Sequence, residues 1–113
     1  MKVKEKRTPR EFIVGIDDQI TIKDCGNIEL ENDEQITFTT KGGSEYDICR
    51  KEWGYYATPS INRRLKSFGF KTALVKNIHN HYFVMLVQKK LINKFINYIK
   101  MEKNEIVEWL DEK

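Results

Sequence analysis

Apolar residues recur at a spacing of two along the first half of this chain, and at helical spacing only beyond residue 58. Side chains two apart share one face of a strand; side chains three or four apart share one face of a helix. That change of period restricts the first half to strands. Arg10-Glu11-Phe12-Ile13-Val14-Gly15-Ile16 is short and β-branched, a first strand, and Asp17-Asp18 is a turn. Ile20 and Ile22 alternate, as do Ile28 and Leu30, with Asp24-Cys25-Gly26-Asn27 as a tight turn between them. Glu31-Asn32-Asp33-Glu34 is a further polar turn. Gln35-Ile36-Thr37-Phe38-Thr39-Thr40 is strand by composition, Lys41-Gly42-Gly43-Ser44 a hairpin loop, and Tyr46-Asp47-Ile48-Cys49-Arg50 the returning strand. The first half reads as an antiparallel meander.

In the second half, Thr58-Pro59 predicts an N-cap followed by proline at the first helical position. Ile61, Leu65 and Phe68 then fall on one helical face, and Gly69 is the stop. Phe70 to Lys76 is a strand, Asn77-Ile78-His79-Asn80 a turn, and Tyr82 to Gln88 a strand apolar on both faces, expected at the centre of the sheet. From Lys89 to about Lys103, the residues Leu91, Ile92, Phe95, Ile96 and Ile99 form the apolar stripe of a second helix. Ile106 to Leu110 reads as a closing strand in preference to a last helical turn. The fold class is α+β, a mostly antiparallel sheet packed with two helices. Residues 1–10 are basic and without periodicity, expected as a flexible arm. Residues 11–113 are expected as a single domain, long enough to bury a core without metals or disulfides.

Charge is unevenly placed. Residues 11–52 hold 11 acids and 4 bases, whereas residues 62–103 hold 10 bases and 1 acid. The first ten residues carry five bases against one acid, +4, so against the formal net charge of +3 the remainder is −1. That leaves the rest close to neutral, and nucleic acid is not the expected partner. Cys25 and Cys49 form no CxxC and have no ligand spacing with His79 or His81. They read as reduced thiols, and no metal or cofactor is nominated. Met1-Lys2-Val3-Lys4 leads into no apolar leader segment, and the longest apolar run, Tyr82 to Val87, is too short to span a bilayer. The expected compartment is the cytoplasm.

Between the acidic and basic halves lies Trp53-Gly54-Tyr55-Tyr56-Ala57-Thr58-Pro59-Ser60-Ile61, nine residues without a charge, followed by Asn62-Arg63-Arg64. A helix start there would offer free N–H groups to an anion. Thr58 and Ser60 add hydroxyls, and Arg63 and Arg64 can grip a phosphate or carboxylate bidentately. Trp53, Tyr55 and Tyr56 supply flat surface for a ring. The candidate ligand-binding set is therefore Trp53, Tyr55, Tyr56, Thr58, Ser60, Asn62, Arg63 and Arg64. The ordinary alternative is that Thr58 only caps, the aromatics fill the core and the arginines are solvated. No glycine-rich phosphate loop accompanies the set. Cys25 as a nucleophile would need His79 or His81 beside it, and nothing in the sequence brings them together. No catalytic residue is nominated. Lys89, Lys90, Lys94, Lys100 and Lys103 read as the solvent face of the second helix. With Arg63, Arg64, Lys66 and Lys71 they could instead form one face that meets RNA, an acidic protein or a membrane surface, or on which the acidic half of a second copy docks.

The runs Asp24-Cys25-Gly26, Asp33-Glu34-Gln35-Ile36-Thr37-Phe38, Glu45-Tyr46-Asp47 and Tyr82-Phe83-Val84-Met85-Leu86-Val87 add to the long Trp53-to-Leu65 pattern WG-x-YATPS-x-N-x-RL. Together they resemble a small bacterial family of unassigned activity, which accompanies surface-polysaccharide and sugar-modifying genes. The resemblance covers about residues 11–111. It implies a role near glycan or nucleotide-sugar metabolism and carries over no catalytic residues. The functional expectation is an accessory domain binding an anionic ligand, a nucleotide-sugar or phosphorylated glycan precursor. The alternative is a protein-interaction module, homodimeric or with another protein, working through the acidic and basic halves.

Overall fold

A computed structural model describes residues 1–113. The chain is mostly antiparallel sheet, with two helices. It divides into two compact units, one of residues 1–15 and 19–58, the other of residues 16–18 and 59–113. No helix is long and apolar enough to cross a membrane.

The first unit holds five strands: β1 (Lys2–Val14), β2 (Ile20–Glu29), β3 (Gln35–Thr39), β4 (Glu45–Lys51) and β5 (Gly54–Ala57). β1 and β2 form a two-stranded ribbon, and β3-β4-β5 a three-stranded sheet. Residues 1–10, expected as an arm, lie almost wholly in β1. Three of their five bases are met by acids across the ribbon: Lys6 Nζ lies 2.6 Å and Arg10 Nε 3.6 Å from Asp24 Oδ2, and Lys2 pairs with Glu29. The Lys6 hydrogen bond, helped by the charge of Arg10, holds the Asp24 carboxyl below its ordinary pKa. The tight turn expected at Asp24-Cys25-Gly26-Asn27 is not a turn, because β2 runs straight through it. The irregularity is a register shift between Glu5 and Arg10 on the partner strand. Gly26 is needed for close approach: a Cβ there would lie 2.3 Å from the Lys4 carbonyl oxygen.

The second unit holds α1 (Arg64–Ser67), β6 (Phe70–Lys76), β7 (Tyr82–Gln88), α2 (Ile92–Met101) and β8 (Glu105–Trp109), with short 3₁₀ turns before α2 and after β8. The strand order is β7-β6-β8. β7, expected at the centre, is therefore an edge strand, and β6 is central. Burial on a sheet depends on what covers each strand. β6 is covered on both faces, whereas Tyr82, Phe83 and Val84 on β7 stay exposed despite their apolarity. Ala73, Val75 and Ile99 form the core, with Met85, Phe95, Ile106 and Trp109 packed against them. The α2 stripe points inward as its spacing predicted, apart from exposed Leu91 in the preceding turn.

The first helix departs most from expectation. It is one turn long, and Thr58 does not cap it. The Thr58 N–H donates to the Asp47 carbonyl at 3.2 Å, and its hydroxyl to Gln35 Oε1 at 2.9 Å. Both partners belong to the β3–β4 hairpin, so sheet contacts outcompete the capping role. Ser60 opens the turn instead: its carbonyl accepts the Leu65 N–H at 2.9 Å and its hydroxyl oxygen the Arg64 N–H at 3.1 Å. Of Ile61, Leu65 and Phe68, only Leu65 is fully buried, and Phe68 is exposed. Gly69 ends the turn in the left-handed region, φ 90°, as its position predicted.

Candidate functional site

The division between units falls between Thr58 and Pro59, within the uncharged segment. Trp53, Tyr55, Tyr56 and Thr58 belong to the first unit; Ser60, Asn62, Arg63 and Arg64 belong to the second.

In the first unit, β5 pairs with β4 so that Tyr56 lies opposite Cys49 and Tyr55 opposite Arg50. Neighbours on a strand point to opposite faces. Tyr55 and Tyr56 therefore do not share a surface, and the three aromatics do not act as one. Trp53, in the turn before β5, joins Tyr56: their ring centroids are 6.2 Å apart with planes at 29°. Trp53 is 72% exposed and Tyr56 45%. This pair is open to solvent and does not fill the core.

The register also fixes what surrounds the pair. Cys49 lies opposite Gln35, and Asp47 opposite Thr37. Gln35, Thr37, Asp47, Lys51 and Tyr56 thus share one sheet face. Polar groups on it are paired with one another: Thr58 with Gln35, the Thr37 hydroxyl with Asp47 Oδ1, and Lys51 with Asp33. The Asp33 hydrogen bond pushes the Lys51 pKa up, so this face keeps a cation throughout the physiological range. Gln35, Asp47 and Lys51 were not legible as site residues. Only the pairing register brings them to the aromatic pair.

In the second unit, Asn62, Arg63 and Arg64 are exposed beside the single turn of α1. Four residues align too few peptide dipoles for the expected anion-attracting helix start. The arginine side chains are what remains of that half of the set. His79 and His81 sit in the β6–β7 turn, where Asn77 Oδ1 accepts both of their backbone N–H groups at 2.9 Å. Cys25 is exposed on β2, in a unit that holds no histidine. No group of three or more His, Cys, Asp or Glu side chains is placed to hold a metal ion. No protein-family model, curated protein or solved structure matches the chain.

Proposed function

We propose that the chain is a binding module that takes a polar, ring-bearing ligand on the Trp53/Tyr56 face. The ligand class is a glycan precursor or nucleotide-sugar. One observation carries the reading: two stacked aromatic rings stand exposed at a sheet face that, apart from buried Cys49, is lined with hydrogen-bonding groups. Exposed Trp and Tyr offer a flat apolar surface with a polar handle, the combination enriched at binding surfaces. A sugar presents an apolar C–H face to such rings and hydroxyls to Gln35, Thr58, Thr37 and Asp47. Lys51 supplies the cation for a phosphate on that face.

Titration with UDP-hexoses, hexose 1-phosphates and free hexoses tests the reading. Stacking on an aromatic side chain contributes about 1–3 kcal/mol, so Trp53→Ala and Tyr56→Ala should each weaken binding by roughly tenfold or more. Both side chains are exposed, and the melting temperature should barely move. Tyr55→Ala, on the opposite face, should bind as the unmodified protein does. Equal losses in all three variants would sink the reading.

A second reading, a protein-interaction module working by charge, is favoured by the basic run of residues 62–103. The acids of the first unit are partly engaged by its own N-terminal bases, including the terminal amine, 3.1 Å from Glu34. The exposed Lys89, Lys90, Lys94, Lys100 and Lys103 would then face an acidic partner. Such binding should fall steeply as salt rises, whereas stacking on Trp53 and Tyr56 should not.

A further inference from the structure

The two edges of the β7-β6-β8 sheet differ in chemistry. β8 carries Glu105 and Glu108, and its pairing with β6 is broken by a register shift between Leu74 and Val75. Charges and bulges of this kind are how a sheet edge is kept from pairing with another chain. β7 has neither. Its seven residues, Tyr82 to Gln88, contain no charge, proline or glycine, and they pair with β6 without interruption over the full length. No strand pairs with the outer edge of β7. Tyr82, Phe83 and Val84 stand exposed there, Val84 to 64%.

We propose that β7 pairs with β7 of a second copy, antiparallel and about a two-fold axis through Met85, forming a continuous six-stranded sheet. A strand edge is complementary to itself under such an axis. Centred on Met85, the register sets Val84 opposite Leu86 of the other copy and Phe83 opposite Val87. Every cross-strand pair inside it is uncharged, the kind that stabilises a ladder. One operation covers both unguarded edges at once. The resulting sheet ends on β8 at each side, the strand that carries charges. A different extended peptide would satisfy the hydrogen bonds of one copy only, whereas a second copy satisfies both edges. This surface is separate from the Trp53/Tyr56 face, and the two readings stand or fall independently.

The interface is one strand pair, at the small end of specific interfaces, below about 1,200 Å², so the dissociation constant should be on the order of micromolar. Sedimentation velocity on the full chain, across concentrations spanning that range, should show a monomer–dimer equilibrium. Val84→Lys puts a cation into the shared ladder twice, and dimerisation should weaken about a hundredfold or more. Val84→Glu should do the same, and Val107→Lys on the β8 edge should not. Circular dichroism and the melting temperature of dilute samples confirm that each variant is folded. Added salt should leave the dimer intact, because no ion pair holds it. A purely monomeric protein, a dimer unaffected by both Val84 variants, or a dimer dissolved by moderate salt would each overturn the proposal.

Discussion

Replacing Asp111 with alanine should lower stability by about 3 kcal/mol, the low end of what breaking a buried ion pair costs. Asp111 is almost completely buried, in the 3₁₀ turn after β8. Its Oδ1 accepts the Thr72 N–H at 2.9 Å, and Lys71 Nζ lies 3.2 Å from Oδ2 and 4.7 Å from the centre of the Trp109 ring. Without the carboxylate, the buried Thr72 N–H loses its acceptor and Lys71 loses its inner partner. Glu112, at 3.3 Å, still reaches Lys71 from the outside, which keeps the loss at the low end. Asp111→Asn retains an acceptor for Thr72 and should cost roughly half as much. Urea unfolding measures both. A loss below 1 kcal/mol for alanine would show that the chain end is not clamped through this residue.

The same carboxylate makes stability depend on pH. Burial alone would raise the Asp111 pKa, but the Thr72 N–H and the Lys71 ammonium outweigh it and hold the pKa below the ordinary aspartate value. Its contribution is complete above the unfolded-state pKa, about 3.9, and is lost as pH falls through the lower folded value. Half-buried Asp24 and Glu34 shift in the same direction. Lys71 behaves oppositely. Burial disfavours its charge, but Asp111 and Glu112 raise its pKa overall, so its contribution is lost only as pH rises through that raised value. Unfolding followed from pH 7 to pH 2 should therefore be steeper for the unmodified protein than for Asp111→Asn. Parallel curves would mean that the carboxylate charge contributes little.

Leu65→Ala should cost about 3 kcal/mol, within the 2–5 kcal/mol found when a fully buried leucine is truncated. Leu65 is the one buried side chain of α1, which packs against β6. A single helical turn cannot persist on its own hydrogen bonds, because nucleation costs more than one turn returns. Leu65 therefore anchors the whole turn, together with the Ser60 carbonyl. Phe68→Ala, exposed one turn away, should stay within about 0.5 kcal/mol. Equal effects at the two positions would mean that the turn is held from elsewhere.

Much of the strand content was legible because it depends on local pattern. β6 and β7 begin and end at the residues expected, and the β3–β4 hairpin follows the glycine pair at Gly42-Gly43. The inward stripe of α2 and the closing strand β8 follow from local periodicity too. The misreadings share one cause. Thr58-Pro59 has the form of a helix start, but the Asp47 carbonyl and the Gln35 side chain compete for Thr58, and neither is near it in the chain. Residues 1–10 lack an apolar period, yet acids about twenty residues away hold them in β1.

The candidate site divides in the same way. An uncharged, aromatic-rich segment was visible from composition. Its two-faced character came from strand register, which sent Tyr55 one way and joined Tyr56 to Trp53 the other. The sequence by itself determined β3, β4, β6, β7 and α2, since spacing and turn residues act over a few positions. Only the tertiary structure decided that β6 is central, that β7 is an open edge and that Gln35, Asp47 and Lys51 share a face with Tyr56. Those facts depend on pairing between distant segments, and each residue carries the same local signal whichever partner it meets.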